Sequence, residues 1–184
     1  MLRGNRELWL AFFAMIAVTG LYGLVVFLTR KVPPASELFG HGIGIVGFLF
    51  MLMTETLYSL RKRSRSFKWG RMSAWLQFHI FTGLVGPYMV LLHTAWKFNG
   101  IAGVTTLFTV IIVLSGFIGR YIFTRIPRSL DGLEIEGTLS QEALRQTRRL
   151  LALWHTVHIP IGMALFVSAF VHIGAALYYA TFLK

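Results

Sequence analysis

Four histidines carry the chemistry this chain is equipped for: His79 and His93 in one apolar stretch, His158 and His172 in another, each pair 14 residues apart. On a helix, 14 residues complete almost four turns and rise about 21 Å, which puts both members of a pair on nearly one face. In a bilayer whose hydrocarbon core is about 30 Å thick, one histidine of each pair then lies toward each side. Two such helices side by side present two facing histidine pairs, one above the other. A facing pair of imidazoles can fill both axial positions of a haem iron. That leaves no open site for oxygen or substrate, so the chemistry is one-electron transfer. Cysteine is absent, which excludes disulfides, iron–sulfur ligation and thioether attachment by this chain. The cofactors expected are therefore two haems of b type, held without covalent links.

The elements that must hold these histidines are membrane helices. The chain has 184 residues, 55% of them hydrophobic and only 14% charged, a balance far from that of a water-soluble domain. Five apolar runs are long enough to span, at 8–28, 38–60, 72–96, 101–122 and 150–183. They predict an all-α fold: one integral membrane bundle of five transmembrane helices in a lipid bilayer. The first run approaches twenty residues and no small-residue cleavage pattern follows it, so it reads as a retained helix and not a signal peptide. The last is longer than a span requires, and its ends are expected to project or tilt.

A formal charge of +11 raises the question of nucleic acid, but the basic residues form no basic domain. Arg3 and Arg6 precede the first helix, Arg61, Lys62, Arg63, Arg65, Lys68 and Arg71 crowd the second connection, and Arg120, Arg125, Arg128, Arg145, Arg148 and Arg149 crowd the fourth. Arg30, Lys31, Lys97 and Lys184 fall on the other side. This is topogenic charge, which predicts a multi-pass protein of the plasma membrane with its N-terminus in the cytoplasm and its C-terminus outside. Helices three and five then run in parallel. His79 follows Arg71 by eight residues and His158 follows Arg149 by nine, so these two share the inner level and His93 and His172 the outer. The expected pairing is His79 with His158 around an inner haem, and His93 with His172 around an outer one.

With these histidines in place, the chain resembles membrane cytochromes b that hold two haems between parallel helices, as in the cytochrome b of quinol–cytochrome c reductases, where the same 14-residue spacing recurs on two helices separated by a third. The runs "SGFIGRYIFTRIPR" and "WHTVHIPIGMALFVSAFVHIGAALYY" look like small bacterial di-haem cytochromes related to ferric-reductase-like membrane proteins. The resemblance covers roughly 40–179. It departs from the reductase cytochrome in lacking the further C-terminal helices and their quinol-site motif, and from full ferric reductases and NADPH oxidases in lacking a flavin or nicotinamide domain. What the resemblance implies is a haem scaffold with the four histidines as ligands.

Other residues have supporting parts in this reading. Gly40, Gly42, Gly44, Gly47, Gly83, Gly86, Gly162 and Gly174 are read mainly as close helix packing. Gly116 and Gly119, between the ligand helices, are the best candidates for letting a flat macrocycle approach the backbone. Arg120 and Arg125 close the fourth helix, where they can neutralise haem propionates or simply obey topology. His155 lies 17 residues from His172, about 100° out of line, and is a poor ligand. His41, opening the second helix, reads as an interfacial residue, a proton relay, a quinone contact or a ligand shared with a partner. Glu55 is the single acid inside an expected span, either on a proton path or paired near Arg61. In the polar connection 127–149, Pro127 ends the fourth helix, and Thr138 and Gln141 have capping-box spacing. A short amphipathic piece there is expected to lie on the inner membrane face or to dock a partner.

Hydrolytic catalysis has no support: there is no nucleophile elbow, no paired carboxylates and no phosphate-binding glycine loop. The expectation is an electron-transfer subunit of an oxidoreductase complex. It would work between quinone, the candidate membrane-soluble partner, and a c-type cytochrome or other redox subunit on the outer face. The rivals are a standalone haem oxidoreductase serving superoxide or a soluble flavoprotein, and a histidine-lined metal transporter or membrane anchor.

Overall fold

A computed structural model describes residues 5–63, 70–125 and 141–182. Its elements are α1 (Arg6–Thr29), α2 (Leu38–Arg63), α3 (Met72–His93), α4 (Gly100–Phe123) and α5 (Gln141–Phe182), with no strand among the described residues. All five are long and apolar enough to cross a membrane. Helix is the form such segments must take, because hydrocarbon offers no partner to a backbone N–H or C=O and the helix satisfies them internally.

Which side chains are buried shows what solvent the fold is built for. On α4 the buried positions are Thr105, Thr106, Thr109 and Gly119, while Leu107, Val110, Leu114, Phe117 and Ile118 face outward. A water-soluble helix has the opposite pattern. In lipid no hydrophobic force drives helices together, so small residues that allow close approach take the interface and large aliphatic ones meet the acyl chains. The threonine hydroxyls turn back onto their own helix, Thr105 donating to the Ile101 carbonyl at 3.0 Å and Thr109 to that of Thr105 at 2.8 Å.

Packing gathers the chain into two compact units, Met1–Lys97 and Phe98–Lys184. In the first, α3 packs along α2 and against α1; in the second, α4 packs against α5. The antiparallel α2–α3 register is fixed at three levels. His93 meets Gly40, Gly86 meets Gly47 and His79 meets Thr54. Both rows step by seven residues, the heptad spacing that keeps one seam of a helix facing its neighbour. At the middle level the glycines are indispensable: a Cβ on either Gly47 or Gly86 would stand 2.8 Å from the other's carbonyl oxygen.

Three boundaries differ from the sequence reading. α1 begins at Arg6 and so takes Glu7 into its first turn, where the side chain is buried; Glu55 is therefore not the single acid within a span. α3 ends at His93 and not at Trp96, because Ala95 and Trp96 adopt left-handed φ of 47° and 63°. Thr94 stabilises that stop, its hydroxyl donating to the Leu91 carbonyl and accepting the Trp96 N–H. Lastly, residues 141–149 form no separate surface piece. They continue into α5, whose 42 residues extend about 63 Å, twice the bilayer core. Pro127 and Thr138 lie outside the described residues.

Candidate haem-binding histidines

All four expected ligands are half-buried residues on helices. In the first unit, α3 holds His79 and His93, and α2 sets the orientation of each ring. His79 Nδ1 lies 3.0 Å from the carbonyl oxygen of Thr54, and His93 Nδ1 lies 2.7 Å from that of Gly40. A carbonyl only accepts, so in each case Nδ1 carries the proton and donates it. The lone pair is then on Nε2. This is the arrangement in which metal-ligating histidines are usually found, one ring nitrogen anchored to a backbone carbonyl and the other available to the metal.

The two levels differ one turn further along α2. At the His93 level the residue four beyond the acceptor is Gly44, where a Cβ would stand 2.6 Å from the imidazole Cγ and Nδ1. The missing side chain is the space the ring occupies. At the His79 level the corresponding residue is Tyr58, whose ring centroid lies 4.8 Å from that of the imidazole. Thr54, whose carbonyl takes the His79 proton, also donates its hydroxyl to Thr82 at 2.7 Å. Thr82 is 1% exposed and bonds in turn to the Phe78 carbonyl at 2.9 Å. His41 stands beside the other level, its ring 6.4 Å from that of His93. Glu55 lies on the exposed face of α2.

In the second unit, His158 Nδ1 lies 3.0 Å from the hydroxyl of Ser115 on α4. Trp154 secures the same serine, its indole N–H reaching the Ser115 carbonyl at 2.7 Å and the hydroxyl at 3.1 Å. The indole lies 4.5 Å from the His158 ring at an interplanar angle of 30°, and 4.7 Å from that of His155. Gly119 admits it, for a Cβ there would collide with the indole. Gly119 therefore makes room for a side chain of its own unit, whereas a Cβ at Gly116 would meet nothing within 4 Å. Arg120 is half-buried. Arg125 is exposed, bonds to the Tyr121 hydroxyl and lies with its guanidinium 4.5 Å from the centroid of that ring.

A haem iron would need from the first unit the imidazole nitrogen that His79 and His93 leave as the acceptor, Nε2. Among the described residues no group of three or more His, Cys, Asp or Glu is arranged to hold a metal, whereas a haem asks of the protein only one nitrogen on each side. The sequence reading did not contain the acceptors Gly40, Thr54 and Ser115, nor Trp154. The heptad relation of Gly40, Gly47 and Thr54 was the signal that could have revealed the first two. The sequence matches no protein-family model, and no curated protein or solved structure matches it either.

Proposed function

We propose that this protein is a membrane electron-transfer subunit that carries electrons across the bilayer through two b-type haems, between the quinone pool and another redox subunit. The observation that carries the reading is the repeated anchoring on α3: two histidines 14 residues apart, each with Nδ1 given to a carbonyl of α2 and Nε2 left as the lone-pair nitrogen. A chance packing histidine does not need the same tautomer twice at the spacing of a bilayer crossing.

In this reading His79 and His158 would be the ligands of the haem at the end of the helices that carries the basic connections, and His93 and His172 those of the other. The haems supply the ferric–ferrous couple. The protein supplies everything else. Thr54 and Gly40 set ring tautomer and angle, and hydrogen bonds of this kind also raise the basicity of the ligating nitrogen. Ser115 and Trp154 position the His158 ring, the serine hydroxyl giving or taking the hydrogen bond at Nδ1. Arg120 offers positive charge against propionates at the basic end. The apolar helix faces exclude water, which keeps electrons from being lost to side reactions. With 14 residues between them, His79 and His93 stand about 21 Å apart along the helix axis.

The positive-inside rule sets the basic end in the cytoplasm, so an electron moving from His79 to His93 crosses outward. A test is reconstitution into vesicles enclosing ferricyanide, with an impermeant reductant outside. Ferricyanide should bleach when the protein is present and persist with His93→Ala. Equal bleaching by protein and variant would reject the reading.

A further inference from the structure

Glu7 occupies a position in α1 where the packing of its neighbours calls for an apolar residue. The stripe that α1 packs inward runs through Ala11, Ala14, Met15, Val18 and Tyr22, and Glu7 heads it at 6% exposure. In the first turn of α1 the helix dipole favours a carboxylate, and its burial there still requires polar partners to offset the lost hydration. It lines a cleft of about 390 Å³ between the starts of α1 and α3, within the range of roughly 300–1,000 Å³ usual for small-molecule sites. Arg6, Glu7 and Gln77 are its polar groups, and Leu10, Phe78 and Phe81 are its apolar walls. Beyond Leu10 the exposed face of α1 continues with Phe13, Ile16 and Leu24, a track for a hydrocarbon chain.

Polar groups at the head of the cleft, aromatic walls and an apolar track below suit an occupant with a hydrogen-bonding, aromatic-stacking head and an apolar tail. We propose that the cleft binds the ring of a lipid-tailed quinone or quinol, its ring against Phe78 and Phe81. The Glu7 carboxylate accepts a hydrogen bond from a quinol hydroxyl, and the Gln77 amide bonds the ring oxygen. A carboxylate has about four lone-pair positions, so Glu7 can do this while keeping a contact within the protein.

The purpose of the site rests on the electron-transfer reading above. Gln77 and Phe78 immediately precede His79 in α3, so cleft and histidine lie at one level on different faces of a helix about 10–12 Å across. Oxidation of one quinol to quinone there releases two electrons and two protons. The electrons leave singly, and a haem held by His79 would take them one at a time, passing the first on toward the other redox subunit before accepting the second. The protons leave in turn through Glu7 to water at the N-terminal end of α1.

A short-tailed azidoquinone, illuminated with the purified full-length protein in lipid nanodiscs and mapped by peptide mass spectrometry, tests the site without reference to haem. Label is expected within residues 6–10 and 74–81, displaced by excess unlabelled quinone. It should fall at least tenfold in Ala74→Trp and in Gln77→Leu, both at exposed positions where substitution leaves the fold standing. In Glu7→Gln, quinol-driven haem reduction should slow at least tenfold while dithionite reduction is unchanged. Label scattered over the lipid-facing residues of all helices, or unchanged by Ala74→Trp and Gln77→Leu, would overturn the site. Label in the cleft of a protein that carries no haem would sustain the site and overturn the electron-transfer reading instead.

Discussion

The Nδ1 atom of His93 lies 2.7 Å from the carbonyl oxygen of Gly40, on a helix running the opposite way. Two heptads along the same seam, His79 repeats the contact with Thr54. The pair of contacts ties ring tautomer to helix register, so a change in how α2 and α3 meet should be read out at a ligand nitrogen even when no histidine is altered.

Gly44→Val tests that coupling at one level. Its Cβ would stand 2.6 Å from the His93 ring, and such overpacking costs about 1–3 kcal/mol. The outer haem should bind at least tenfold more weakly, while Gly42→Ala, at a position open to space, leaves both haems in place. Haem titration of the apoprotein measures it, and equal affinities for the two variants would count against the role given to Gly44.

Ser115→Ala removes the hydroxyl that meets His158 Nδ1 and leaves the ligand itself untouched. Loss of such an anchoring partner typically lowers metal affinity roughly 10–100-fold. The inner haem should weaken by that order and its midpoint potential should move, with Ser115→Thr restoring both. Spectroelectrochemical titration reads the potential. A serine that serves only helix packing would leave it unchanged.

Replacement of the histidines sorts the levels. His79→Ala or His158→Ala should lower the haem content from two per chain to one, and the haem lost should be the same in both, identified by its potential. His93→Ala and His172→Ala should lose the other. His155→Ala should retain two. Loss of a haem from His155→Ala with both retained in His158→Ala would exchange the two assignments.

Much of this was legible in the sequence because membrane helices are specified by a few strong signals. Length and apolarity located all five elements; the four histidines of the 14-residue spacing lie half-buried on α3 and α5, a burial that His155 shares. What the sequence did not reveal depends on contacts between helices. The carbonyl oxygens of Gly40 and Thr54 are backbone atoms, which no residue type advertises. Gly119 looked like a place for a macrocycle and is filled by Trp154, a choice between two flat groups that composition cannot make. Glu7 was passed over because its hydropathy excluded it from the apolar run, although helical hydrogen bonding extends to Arg6 regardless of side chain. The stop of α3 at His93 turns on the left-handed backbone of Ala95 and Trp96, where neither glycine nor proline gives warning.

Thr82→Val isolates the stability of the α2–α3 seam from haem binding. The substitution keeps the shape and removes a hydroxyl that gives one hydrogen bond to Phe78 and takes one from Thr54. A net loss of about 1–2 kcal/mol is expected from the typical worth of such bonds, with haem content still two. Denaturation in detergent, followed by loss of helical signal, checks the size of the change.

Haem stoichiometry tests the central claim most directly. The full-length protein, purified in mild detergent and assayed as the pyridine haemochrome against protein mass by amino-acid analysis, should contain two haems b per chain, with two resolved potentials on redox titration. One haem per chain, or none, in protein expressed with haem in excess would contradict the account.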